Sequence, residues 1–271
     1  MAVAAKHALV TGRAHRVFIL DWDIHHGNGI QDLTYQDPSI FYCSIHRGGS
    51  AKDTQYFYPG TGRPTEVGCA GTNLNIAWGQ GGMGDEEYRQ AFTTLILPVL
   101  QHFKPDLILV ACGLDAVKGD FLGDCGLSRD MYYHMTRMLM DAMPGTPLVM
   151  ALEGGYNMTE SAACMERIAM ALLDDPLPPP PPPEEDDVKQ GKQGKKMKKA
   201  LKRRRSTAAV EDEHQAILAA ALRSIQRSSK ALQQGGVCVS GCHYKCRHAT
   251  QPHALPLKKR QYPAEEMTTT A

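Results

Sequence analysis

The chain has 271 residues, enough for one large domain or for one domain with additional segments. Its formal net charge of +1 conceals a basic run at 195–205, in which eight of eleven residues are lysine or arginine. Eight cysteines without a recognisable secretory signal favour a reducing compartment over a disulfide-stabilised secreted protein. No apolar stretch approaches the ~20 residues that a transmembrane helix needs, so no membrane partner is expected.

The first twenty residues contain no acids, which is also a feature of transit peptides. We prefer the simpler interpretation of a helix that leads into a strand. Continuous apolar runs of strand length and composition then follow at intervals along the chain. These runs are residues 17–20, 40–44, 107–111 and 148–152.

Apolar residues at helical spacing predict helices over 85–103, 129–142 and 158–173. Pro98 predicts a kink or a break in the first of them, and Ser128 is the expected N-cap of the second. Strands that alternate with helices predict an α/β fold, a parallel sheet with helices on both faces, over residues 1–175.

The composition changes abruptly after residue 175, where a proline run at 178–183 precedes four acids and the basic run. Residues 176–208 are predicted to form a disordered loop or linker. An amphipathic pattern predicts a helix over 209–233, which either packs back on the domain or binds a partner independently. Residues 234–271 are predicted to be a disordered tail, and the spacing of their cysteines and histidines matches no zinc module.

Candidate metal ligands and acid–base groups lie just beyond the predicted strands, where parallel α/β sheets place their ligand sites. They fall at residues 21–29, 45–47, 113–115 and 153–157. Because residues two apart in an extended chain share a face, we expect Asp21, Asp23 and His25 to point the same way. Asp23, His25 and Asp115 would form a three-ligand site with a position left for water, as in catalytic zinc sites.

Tyr156 follows two glycines in the last of these segments. Gly154 and Gly155 would let the backbone approach a metal closely. A phenol beside the metal could donate a hydrogen bond to an oxyanion that forms on a substrate carbonyl. The alternative interpretation is a tyrosine that only covers the end of the sheet.

Five motifs resemble those of the class II histone deacetylases in order and spacing. They are D-W-D-I-H-H-G-N-G at 21–29, S-I-H-R at 44–47, Y-P-G-T-G at 58–62, C-G-L-D-A-V-K-G-D at 112–120 and L-E-G-G-Y-N at 152–157. The resemblance runs from about residue 2 to residue 175. It implies an arginase/deacetylase-like fold and zinc-dependent hydrolysis of the acetyl amide of N6-acetyl-lysine in histones or other proteins.

The resemblance also implies roles for individual residues. Asp23, His25 and Asp115 would bind Zn2+, and Tyr156 would be the catalytic tyrosine. Asp21 and Ser44 would hold a structural K+.

Substrate contacts follow from the same resemblance. Tyr58 would line the acyl-lysine tunnel, Leu122 would lie at its mouth, and Gly154 would face the substrate. Asn28, where class I enzymes carry aspartate, would support the metal ligands. A carboxylate in place of Leu122 would favour a second cationic nitrogen, so leucine argues against an acetylpolyamine amidohydrolase.

One departure concerns the general base. Family members carry a G-H-H-A-type histidine pair upstream of the 21–29 motif, and this sequence has none there. His7 and His15 lie in other contexts, and His26 is expected to point away from the metal. We therefore expect a domain incomplete on its N-terminal side, with weak zinc binding and slow turnover; the alternative is a catalytically silent interaction protein.

The resemblance and the basic run together predict a nuclear protein, and shuttling with the cytoplasm is compatible with both. The predicted partners are an acetylated histone or another acetyl-lysine protein and a corepressor complex. The basic run would contact nucleic acid or an import receptor; a merely solvated basic loop is the alternative.

Overall fold

The computed structural model describes residues 1–48 and 56–179. Within them, one sheet of five parallel strands has the order β3-β2-β1-β4-β5. The strands are β1 (Val17–Asp21), β2 (Ile40–Arg47), β3 (Asn73–Trp78), β4 (Leu107–Cys112) and β5 (Leu148–Leu152). The α-helices are α1 (Ala2–Val10), α2 (Asn28–Thr34), α3 (Asp85–Ala91), α4 (Leu97–Phe103), α5 (Arg129–Ala142) and α6 (Met158–Leu172).

Helices cover both faces of this sheet, which confirms the predicted α/β class. Phe18 and Phe41, whose rings stack with centroids 5.2 Å apart, belong to the large apolar cluster under α3–α6. On the opposite face, Ile19 and Tyr42 pack with Ala5 of α1. Alternate strand residues point to opposite faces, so the central strands read as continuous apolar runs.

The second strand is longer than predicted. Residues 45–47 were expected beyond its end, but β2 continues to Arg47 because β3 pairs with it as far as the Arg47–Trp78 register. His46 therefore lies inside the sheet and is fully buried. The sequence did not predict β3, since Asn73 and Asn75 interrupt its apolar pattern, and it did not predict the short helix α2.

The helix expected over 85–103 is interrupted. Residues Phe92–Ile96 form a π-helical turn between α3 and α4. The interruption comes just before Pro98, which lacks an amide hydrogen and whose ring crowds the preceding turn.

The helices predicted over 129–142 and 158–173 are confirmed. Helix α5 has the predicted bounds, and the Ser128 hydroxyl accepts a hydrogen bond from the Met131 amide at 3.1 Å, as expected of an N-cap. Helix α6 ends one residue before the predicted end. None of the helices in residues 1–48 and 56–179 has the length and apolarity required to cross a membrane.

Several predicted segments lie outside the described residues. They are the linker from residue 180 onward, with its basic run, the helix over 209–233 and the tail over 234–271.

Candidate metal centre and active site

Three predicted ligand side chains converge beyond the carboxyl ends of two adjacent strands. Asp23 and His25 follow β1, and Asp115 follows β4, which pairs with β1. The His25 Nδ1 atom lies 3.1 Å from Asp23 Oδ1 and 3.0 Å from Asp115 Oδ2. The candidate ligand atoms of the three residues all lie within 4.8 Å of one another.

Backbone amides fix the two carboxylates. The Ile24 amide donates to Asp115 Oδ1 at 2.9 Å, and the His25 amide donates to Asp23 Oδ1 at 2.8 Å. Asp115 is fully buried, where two neighbouring carboxylates cost free energy unless a cation compensates them. Carboxylate oxygen and imidazole nitrogen are ligands that zinc accepts, and a three-ligand set leaves a position for water. The three side chains therefore fit a catalytic zinc ion.

Two glycines let the backbone approach these carboxylates. A Cβ atom on Gly154 would lie 2.6 Å from Asp23 Oδ2 and 2.8 Å from Asp115 Oδ2. A Cβ atom on Gly113 would also overlap Asp23 Oδ2. Any side chain at position 154 must therefore displace at least one candidate ligand.

We expect Gly154→Ala to weaken zinc binding at least about tenfold, because a small shift of ligands from their preferred geometry is costly. The measurement is a competitive titration with a zinc chelator. Gly29→Ala is the matched control, since a Cβ atom there meets nothing within 4 Å. Equal losses of zinc affinity in Gly154→Ala and Gly29→Ala would contradict the displacement of a ligand by the Cβ atom at position 154.

The charge state of His25 follows from its two acidic neighbours. Burial alone lowers its pKa, but the hydrogen bonds and charges of Asp115 and Asp23 outweigh burial and raise the pKa to about 9. Burial raises the pKa of the Asp115 carboxyl. Without metal, His25 is therefore protonated at neutral pH, and a bound metal must displace that proton.

This competition makes zinc affinity depend on pH. Below a pKa of about 9, His25 holds its proton, so we expect the apparent zinc affinity to rise about tenfold per pH unit between pH 6 and 8. Calorimetric titration in buffers of different ionisation enthalpy measures both the affinity and the proton released. An affinity independent of pH, with no proton release, would refute the assignment of His25 as a ligand.

Aromatic rings surround His25. Phe57 stacks on its imidazole with centroids 5.1 Å apart and 9° between the planes. Tyr58 and Tyr156 approach edge-on, with centroids at 6.2 Å and 6.5 Å. The sequence reasoning anticipated both tyrosines here but missed Phe57, although it immediately precedes Tyr58. The Arg47 guanidinium lies 4.3 Å from the Phe57 ring centre, a cation–π contact.

Tyr156 can act as a hydrogen-bond donor near the ligands. Its side chain is 48% exposed. Partial burial and then the charges of Asp115, Asp23 and Asp120 raise the pKa of its phenol, so the hydroxyl stays protonated. The Tyr156 amide donates to Asp120 Oδ2 at 2.7 Å, and the Leu122 amide donates to Asp120 Oδ1 at 2.8 Å. Asp120 was missed by the sequence reasoning, although it ends the 112–120 motif.

Asp21 does not join the three ligands. Its carboxylate accepts hydrogen bonds from the Tyr42 hydroxyl at 2.8 Å and the Asp23 amide at 3.2 Å. The two-residue alternation fails here because β1 ends at Asp21 and the chain bends over residues 23–25. Burial and the charge of Asp23 raise the pKa of Asp21. Ser44, its register partner on β2, is fully buried, and a K+ ion between the two remains a prediction.

Two other predicted site residues are Asn28 and Leu122. Asn28 is exposed at the first residue of α2, and none of the hydrogen bonds found in the described parts of the chain joins its side chain to a ligand. Leu122 is half-exposed, at 50%, in the loop that follows β4. Its neighbour Phe121 is 78% exposed.

Two buried histidines behind the site have both ring nitrogens engaged. Those of His26 contact Thr61 Oγ1 at 2.8 Å and Gln31 Oε1 at 3.1 Å. Those of His46 contact the Ser44 hydroxyl at 2.8 Å and the Gly62 carbonyl at 2.9 Å. Burial and the neighbouring His26 lower the pKa of His46 to about 3, so it is neutral. His26 points away from the ligands, as expected.

Comparison with known proteins assigns the family. The model of the histone deacetylase domain matches residues 1–172, and the chain therefore belongs to the histone deacetylase family. Among its relatives are histone deacetylase HDA1 of Saccharomyces cerevisiae, 42% identical, and histone deacetylase 7 of Homo sapiens, 40% identical, each over 65% of this chain. Histone deacetylase 15 of Arabidopsis thaliana is 42% identical over 64% of it. The resemblance to class II histone deacetylases is confirmed.

A solved structure supports the same family assignment. The crystal structure of the HDA15 HD domain matches 64% of this chain and 49% of its own, with a TM-score of 0.59 and 42% identity. The matched region is 25% of the yeast protein, 31% of the Arabidopsis protein and 19% of the human protein. The chain thus spans less than a third of the length of these curated relatives.

Proposed function

We propose that this chain carries the metal-binding and oxyanion-binding part of a protein deacetylase. Its substrate would be N6-acetyl-lysine in a histone or another protein, and the reaction would be hydrolysis of the acetyl amide. The observation that carries the proposal is the convergence of Asp23, His25 and Asp115, with the Tyr156 ring 6.5 Å from that of His25. A zinc ion held there would polarise the acetyl carbonyl and lower the pKa of a bound water.

The surrounding residues support the same substrate. Phe57 and Tyr58 offer aromatic surface beside His25, against which the methylene stem of an acetylated lysine could pack. The Tyr156 hydroxyl would donate to the oxyanion that develops on the acetyl carbonyl. Leu122 is uncharged and half-exposed, so it offers no partner for the second cationic nitrogen of an acetylpolyamine. Acetyl-lysine is therefore the better substrate.

Removal of the Tyr156 hydroxyl tests this role. We expect Tyr156→Phe to lower the deacetylation rate about 100-fold to 1,000-fold, the usual cost of losing one oxyanion donor. Zinc affinity should be unchanged, because the hydroxyl is not a ligand. The measurement is product formation from an acetyl-lysine peptide by the zinc-loaded chain under single-turnover conditions.

Tyr133→Phe on α5 is the control for removal of a tyrosine hydroxyl away from the site. Equal rates for Tyr156→Phe and the wild-type chain would exclude the oxyanion role.

The mechanism also needs a group that accepts a proton from the attacking water. Among the described histidines, His25 is itself a candidate ligand, and His26 and His46 have both ring nitrogens engaged. This observation favours the second candidate function, a deacetylase-like interaction protein without catalytic activity. It also supports slow turnover by residues 1–271 alone.

If none of the described histidines accepts the proton, the reaction should depend on base from solution. We expect the deacetylation rate at constant pH and ionic strength to increase in proportion to the concentration of a weakly coordinating buffer. The measurement is the initial rate over a series of buffer concentrations. A rate independent of buffer concentration would contradict the dependence on an external general base, whereas no product at any concentration would favour the interaction protein.

We further propose that the protein acts in the nucleus as a regulator of chromatin and transcription. The family and the basic run at 195–205 support this proposal. Import, shuttling to the cytoplasm, contact with nucleic acid and a corepressor complex are inferred from sequence alone. The K+ ion at Asp21 and Ser44 is likewise a proposal.

A further inference from the structure

A single carboxylate joins the loop after β4 to the segment that carries Tyr156. Asp120 Oδ1 accepts hydrogen bonds from the amides of Leu122 at 2.8 Å and Gly123 at 3.2 Å. Its Oδ2 accepts from the amides of Tyr156 at 2.7 Å and Asn157 at 3.1 Å. Asp120 is 8% exposed, so these bonds are largely shielded from water. A carboxylate has about four acceptor positions, and here it has four amide donors.

The other hydrogen bonds found in the Tyr156 segment hold Glu153, Gly154 and Asn157 rather than Tyr156 itself. Residues 153–157 lie between β5 and α6 without regular secondary structure. The Tyr156 side chain is half-exposed, so packing alone does not hold its ring. The Gly154 carbonyl accepts from the Leu114 amide at 2.9 Å, and the Asn157 amide group donates to the Gly119 carbonyl at 3.0 Å. The bond to Asp120 is thus the contact that fixes the backbone of Tyr156 itself.

The same loop also reaches the other side of His25. The Arg47 guanidinium donates to the Gly123 carbonyl at 3.0 Å and lies over the Phe57 ring. Phe57 in turn stacks on His25. A displacement of the loop at Asp120 would therefore be transmitted both to the candidate oxyanion donor and to the ring against a candidate ligand.

We infer that Asp120 is a positioning residue, which sets the location of the Tyr156 phenol relative to His25. Its effect on catalysis rests on the proposed function of Tyr156. Its effect on the backbone does not, because the four amide hydrogen bonds are properties of the fold.

Asp120→Asn tests whether the carboxylate of Asp120, rather than any side chain of that size, holds the four amides. Asparagine has nearly the same size, but it has one carbonyl oxygen, and its amide group would oppose two of the backbone donors. Asp32→Asn is the matched control, since it removes the same charge from an exposed side chain on α2, outside this loop.

The first measurement is amide hydrogen exchange in the zinc-loaded full chain, resolved by residue. In the wild-type protein, we expect the amides of Leu122, Gly123, Tyr156 and Asn157 to be protected although they lie in loops. In Asp120→Asn, the exchange of these four amides should accelerate at least about tenfold, while the amides of β1 keep their wild-type rates. In Asp32→Asn, all of these amides should keep their wild-type rates. Unprotected Tyr156 and Asn157 amides in the wild type, or equal exchange in the two variants, would overturn the inference.

If Asp120→Asn does not fold, Asp120→Glu replaces it, because it keeps the charge but moves the carboxylate by one methylene. Faster exchange confined to the four amides would support the positioning role, and faster exchange across the whole sheet would overturn it.

The second measurement is steady-state deacetylation of an acetyl-lysine peptide. Misplacement of the phenol should lower kcat about tenfold to 100-fold and leave KM within about twofold, with zinc affinity unchanged. A parallel loss of zinc affinity would show that Asp120 is needed for the metal site as a whole, and would overturn the role assigned to it. A wild-type chain without activity would contradict the proposed function but leave the exchange result decisive for Asp120.

Discussion

Two carboxylates and one imidazole share a small volume beyond the ends of β1 and β4. Asp115 is fully buried, and the His25 Nδ1 atom lies within 3.1 Å of an oxygen of each carboxylate. Such a group needs compensating positive charge, either a proton on His25 or a divalent cation that takes the place of that proton. The high pKa of His25, about 9, is the consequence of this constraint in the metal-free chain.

The sheet positions these three side chains, and the neighbouring loops supply the other groups of the candidate site. Parallel pairing of β1 with β4 brings two segments distant in sequence to the same edge, and Gly154 brings a third segment against the carboxylates. Tyr156 and Phe57 belong to loops held beside the candidate metal centre by Asp120 and Arg47. The candidate ligands thus follow the ends of paired strands, whereas the proposed oxyanion donor depends on contacts between loops.

Much of this arrangement was predictable because it follows from local patterns. Strands β1, β4 and β5 are continuous apolar runs, and the residues that follow β1 and β4 include carboxylates and an imidazole that can bind a metal. The third strand was missed because its polar residues Asn73 and Asn75 both donate hydrogen bonds to one buried side chain, Gln31, a contact that no periodicity reveals. The length of β2 was missed for the same reason, since β3 extends it. The grouping of Asp21 with the ligands failed because the strand ends there.

The parts of the site that sequence reasoning missed share a cause. Asp120 acts through backbone amides 36 and 37 residues away, and Phe57 through a stacked ring. Neither contact depends on a residue type at a fixed spacing, so neither leaves a local pattern. By contrast, Asp23 and His25 have a spacing that their chemistry requires.

The most direct measurement is X-ray absorption at the zinc K-edge on the 1:1 zinc complex of the full chain. The convergence of Asp23, His25 and Asp115 predicts only oxygen and nitrogen neighbours at about 2.0–2.2 Å, with one imidazole. It also predicts that Asp115→Asn changes this spectrum. Sulfur neighbours at about 2.3 Å, which would indicate binding by cysteines instead, or a spectrum unaffected by Asp115→Asn, would contradict the three-ligand site.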